Sequence, residues 1–142
     1  MSPFEPYHQQ HQEILALVTD LMADLSPAEV QAKPGSILQR LSFLSEKIRI
    51  HLAQEDLLLY PELLRHPDQR VRDTARRAMA SMGDLQQVFR AFRERWADAG
   101  RLAQDPGGFI GETRTVFEAL AKRMLSEEAE IYPLARPPIR PG

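Results

Sequence analysis

Two short stretches carry the residue types that could do chemistry. In IHLAQEDLLLYPEL (residues 50–63) His51 and Glu55 stand four residues apart. On a helix that spacing puts both on one face, and the same face carries Leu44, Ile48 and Leu59. The pair is therefore expected to look inward, where a carboxylate is costly unless it is paired, hydrogen-bonded or bound to a cation. RMLSEEAEIYPLA (residues 123–135) repeats the plan with Arg123 where the histidine stood. At an offset of 72, Glu55 matches Glu127, Asp56 matches Glu128, Leu59 matches Ile131, Tyr60 matches Tyr132 and Pro61 matches Pro133. Val116, Leu120, Arg123, Glu127 and Ile131 form the second stripe. Two helices thus each deliver a carboxylate to one level of a core.

Near the start, YHQQHQEI offers His8 and His11, and His11 leads directly into the Ile14, Val18 stripe. It is the stronger candidate of the two, with His8 a neighbour of the site or a solvated residue. The bland alternatives are a His51–Glu55 hydrogen bond within one helix, a His11 near a helix end, and a Glu127 that only pairs with Arg123. Asp56, Glu128 and Glu130 read as a solvated face. Tyr60 and Tyr132 read as packing residues that close the end of the core, each with a hydroxyl able to bond a carboxylate. Met79, Met82, Phe89, Phe92 and Trp96 read as core.

The elements that must position these residues are all helical, because apolar residues recur at three- and four-residue spacings and no strand-like alternation is present. The breaks predict four long helices: residues 6–25; from about Ser36 until YPELLRHPD, with Pro61 kinking or breaking it; 68–102; and 109–132. Ser26, Pro27 and Glu29 read as a helix start. QDPGG (residues 104–108) reads as a loop, and the proline-rich tail from residue 133 cannot continue a helix. Short connections favour an all-α, up-down-up-down four-helix bundle, which builds its sites from side chains on facing helices.

The 142 residues suit a single domain spanning residues 1–142. A composition of 43% hydrophobic and 27% charged residues with a net charge of −2 fits a soluble globular chain and provides no basic field for nucleic acid. With no cysteine, thiolate catalysis and cysteine-held metals are excluded, so any metal must be held by His, Asp, Glu or Tyr. Neither an export signal nor a membrane span is expected, and the expected location is cytoplasmic.

HQEILALV (residues 11–18), HLAQEDLLLYP (51–61) and RMLSEEAEIYP (123–133) together make the chain resemble the hemerythrin-like, or HHE cation-binding, family. The first is similar to its His-x-x-Ile start, and the second to its His-x-x-x-Glu-Glu-x-x-Leu-Phe-Pro signature. The resemblance implies a non-heme di-iron centre, with histidines from four helices and bridging carboxylates from the second and fourth. His11 and His51 match the ligands of one iron, and Glu55 and Glu127 match the bridges. The second iron would need histidines on the third and fourth helices, but the third has none and Arg123 holds the place on the fourth.

What remains suits a mononuclear site for iron, manganese or zinc with one or two open positions. Arg123, lying between Glu55 and Glu127, would supply charge in place of the second metal. The expected work is binding or sensing iron, dioxygen or a related small ligand. Reversible oxygen carriage is not expected, since it draws on two irons. The alternative is a metal-free helical bundle, monomeric or a homodimer, serving as a regulatory interaction module. An oxidase or peroxidase has no acid, base or substrate pocket to name here, so enzymatic activity is not expected.

Overall fold

The computed structural model describes residues 5–82 and 84–133, and every regular element among them is helical. Helix α1 is Glu5–Ala23, α2 Pro27–Ala32, α3 Pro34–Gln54, α4 Tyr60–Leu63, α5 Gln69–Met82, α6 Leu85–Arg95, α7 Ala99–Gln104 and α8 Pro106–Ser126. Two π-helical segments, Glu55–Leu59 and Glu127–Ile131, continue α3 and α8 without a break. Helix α1 packs on α3 and α8, α6 on α3 and α8, and α5 on α4 and the second π segment. The tail from residue 134 onward and Gly83 lie outside the described residues.

Several boundaries differ from the sequence expectation, each for a local reason. The expected single helix over residues 68–102 is three helices. Helix α5 ends at Met82, the buried Trp96 ends α6, and Asp98 restarts the chain by accepting a hydrogen bond from the Arg101 N–H at 2.8 Å. The QDPGG loop is a helix start: Asp105 is the N-cap of α8, bonding the Gly108 N–H at 3.0 Å, and Pro106 occupies the first turn, where a missing N–H costs nothing. Pro34 does the same for α3, two residues ahead of the expected start. Ser26 caps α2 as read, with Glu29 N–H at 3.1 Å. Met79, placed in the core by spacing, is 37% exposed.

Pro61 breaks the helix in a particular way. Ahead of it the ladder lengthens, so that the Tyr60 N–H bonds the carbonyl of Glu55, five residues back. The Tyr132 N–H likewise bonds Glu127 at 2.9 Å. A five-residue step is about one full turn of a π segment, whereas on an α-helix it lands about 140° away. The two π segments therefore bring Tyr60 below Glu55 and Tyr132 below Glu127, turning both tyrosines into the core, where they are buried.

The apolar interior has two parts. The larger spans Ile14, Leu44, Ile48, Leu52, Val116, Leu120 and Met124 with the α6 aromatics; the smaller holds Leu59, Tyr60, Val71, Ile131 and Tyr132. Along α3 and along α8, the polar residues fall where one part gives way to the other.

Candidate metal centre

Four side chains meet in that layer. His11 comes from α1, His51 from the last turn of α3, and Glu55 and Glu127 each open a π segment. Their exposures are 2%, 1%, 0% and 0%. One ligand atom from each lies within 4.8 Å of all the others. His51 Nε2 stands 3.3 Å from Glu55 Oε1, while His11 Nε2 stands 3.3 Å from Glu127 Oε1 and 3.6 Å from Glu55 Oε2. Among the described residues, His51 Nε2 and Glu127 Oε1 are buried without a hydrogen bond, although buried polar atoms are seldom left so. Both belong to the converging set.

The far nitrogens of the rings explain why the near ones point inward. His11 Nδ1 donates to Glu128 Oε1 at 2.9 Å, and His51 Nδ1 donates to Gln10 Oε1 at 2.5 Å. Such outer partners fix the tautomer and orientation of a ligating histidine and leave Nε2 to the centre. His8 Nδ1 shares the Glu128 oxygen at 2.8 Å, which places His8 one layer out.

Arg123, 2% exposed, closes the opposite side. Its guanidinium reaches Glu127 Oε2 at 3.3 Å, Glu55 Oε1 at 3.4 Å and Asp56 Oδ1 at 2.7 Å. It also donates to the carbonyl of Met82 at 3.4 Å. Met82 ends α5, and the last carbonyls of a helix are short of partners and attract a cation. The helix that carries no histidine thus meets the arginine through its C-terminal carbonyl. Asp56 and Glu128, expected on a solvated face, are corrected: the first binds Arg123 and the second His11. Gln10 was missed as well. The repeat was the available signal, since Asp56 and Glu128 are its paired positions.

The tyrosines cross over between the two halves. Tyr60 donates to Glu127 Oε2 at 2.8 Å and Tyr132 to Glu55 Oε2 at 2.7 Å. Burial, then Glu127, pushes the Tyr60 hydroxyl pKa far up, and burial with Glu55 does so for Tyr132. Against burial, which lowers it, the Glu127 and Glu55 carboxylates raise His11 to about 9. Burial opposes ionisation of Glu55, but His11 and His51 hold it well below the usual carboxylate range; burial and the nearby Glu55 raise Glu127. Burial works against the Arg123 charge, yet Glu127 and Glu55 raise its pKa.

This donor set of imidazole nitrogens and carboxylate oxygens suits a first-row divalent or trivalent cation, and the two bare buried atoms fit one. No curated protein and no solved structure matches the chain. The hemerythrin HHE cation-binding domain matches residues 2–135. With that match spanning nearly the whole chain, and the repeated histidine–carboxylate plan gathered at one buried level, the protein belongs to the hemerythrin HHE cation-binding family.

Proposed function

We propose that the chain is a single four-helix up-down-up-down domain that binds one non-heme metal ion, iron by preference over manganese or zinc. Here α1, α3, the α5–α6 pair and α8 stand as the four members. His11 and His51 would hold the ion through Nε2, and Glu55 and Glu127 through their carboxylates. The observation that carries this reading is the pair of bare buried atoms, His51 Nε2 and Glu127 Oε1, facing the same space as the other two donors.

Arg123 supports a count of one ion. A buried guanidinium bonded to both carboxylates and to Asp56 provides the positive charge that a second ion would bring, in the place where that ion's ligands are missing. A bound iron would supply an open position for dioxygen or another small ligand, together with a one-electron couple. The chain's own residues orient the donors, neutralise the carboxylates and exclude water. This suits binding or sensing in the cytoplasm rather than turnover.

Plasma mass spectrometry on protein reconstituted anaerobically with ferrous iron tests the proposal, alongside His51→Ala. The expected result is one metal per chain, lost in the variant. Wild-type protein that takes up no metal would sink the proposal. It would favour a metal-free interaction module, in which Arg123 and a protonated His11 alone balance the carboxylates.

A further inference from the structure

The two crossed tyrosines are not equivalent. Tyr60 Oη donates to Glu127 Oε2, the oxygen that also receives Arg123 Nε, and the guanidinium carbon lies 5.6 Å from the centre of the Tyr60 ring. That hydroxyl belongs to the arginine's side of the layer. Tyr132 Oη lies on the other side, 2.7 Å from Glu55 Oε2 and 3.1 Å from His11 Nε2. Both neighbours are atoms of residues in the converging set. The Tyr132 ring stacks on the His11 ring, with centres 5.5 Å apart and planes inclined by 24°, so the hydroxyl is held in register with that histidine.

We infer that Tyr132 Oη is a further ligand to the cation. The inference rests on the reading that this site binds a cation. An oxygen within hydrogen-bonding distance of two converging donor groups can reach an ion those groups share. Ligation exchanges the phenol O–H bond for an oxygen–metal bond, and the proton leaves to solvent.

The test is optical and independent of any activity. Protein loaded with ferrous iron is oxidised with ferricyanide and desalted; its iron is then counted and its visible spectrum recorded. The expected result is bound iron with a tyrosinate-to-iron charge-transfer band. Tyr132→Phe should keep its iron and lose the band. The chain has three tyrosines, so Tyr7→Phe and Tyr60→Phe should both retain it. Should Tyr132→Phe fail to fold by circular dichroism, retention in those two variants still assigns the band by elimination. Iron-loaded wild type without the band, or a band that survives in Tyr132→Phe, overturns the inference and leaves the cation reading intact. Wild type that binds no iron overturns both.

Discussion

At the scale of single residues, Arg123 decides how the buried charges balance. It is the one cation among Glu55, Glu127 and Asp56 in the described layer that needs no proton uptake, and removing one partner of a buried ion pair leaves the others uncompensated. Arg123→Ala should destabilise the protein by about 3–5 kcal/mol, measured by urea unfolding. Arg123→Lys should recover only part of this, because an ammonium cannot fork between two carboxylates and Asp56. A loss below 1 kcal/mol for the alanine variant would mean that water or another group takes over the charge.

His11 gives the layer a pH dependence with a definite sign. Its pKa lies at about 9 in the folded metal-free chain against an ordinary 6.5, so the folded state binds the proton more tightly. That contribution is fully present below pH 6.5 and is lost as pH rises through about 9. The urea midpoint of metal-free protein should therefore fall across that window, and His11→Gln should remove this component. Metal-loaded protein should not show it, since a ligating His11 is already neutral.

At the scale of elements, the caps and the π segments have separable jobs. Asp105 holds the start of α8 through the Gly108 N–H, far along the helix from Arg123 and Glu127. Asp105→Ala should cost about 1 kcal/mol of stability in urea unfolding while leaving metal stoichiometry unchanged. Gly108→Ala should cost no more than that, because a Cβ there would meet only the Asp105 carboxylate, which can swing aside at the loss of the cap while alanine favours the helix. Loss of metal in either variant would show that the register of α8 depends on its distant cap.

The π segments set which side chains reach the site. Their shared position in the repeat was visible as the matching Glu, Tyr and Pro, but the lengthened backbone turn was not. A stripe read at α-helical spacing correctly gathers His51, Glu55 and Leu59, yet it leaves Tyr60 and Tyr132 to the end of the core. The wider turn carries their hydroxyls, read from the sequence as able to bond a carboxylate, to the carboxylates of the opposite half.

At the scale of the whole molecule, the candidate ligands come from α1, α3 and the two π segments, so a bound ion would tie the chain's start to its middle and end. An ion that binds only the folded state stabilises it by about 2.7 kcal/mol at a hundredfold excess over its Kd. Chelation of metal-loaded protein should accordingly lower the Tm, and His51→Ala should be insensitive to the chelator. Chelator sensitivity that persists in His51→Ala would remove His51 from the ligand set. No helix among the described residues is long and apolar enough to cross a membrane.

The sequence by itself determined the helical class, the family and the four residues of the converging set. The helical class and the inward His51, Glu55 and Glu127 follow from periodicity, since a histidine and a carboxylate at i and i+4 must share a face and a repeat at an offset of 72 must build two similar helices; the family, and the place of His11 in the set, follow from the resemblance of the three motifs. Only the tertiary structure decided what surrounds them. Asp56 and Glu128 lie at the edge of their stripes, and whether an edge meets water or a buried cation depends on what the facing helix presents. Arg123 and His11 are what it presents here. The break after Met82 mattered in the same way, since a free helix C-terminus becomes a partner only when another chain segment brings a guanidinium to it.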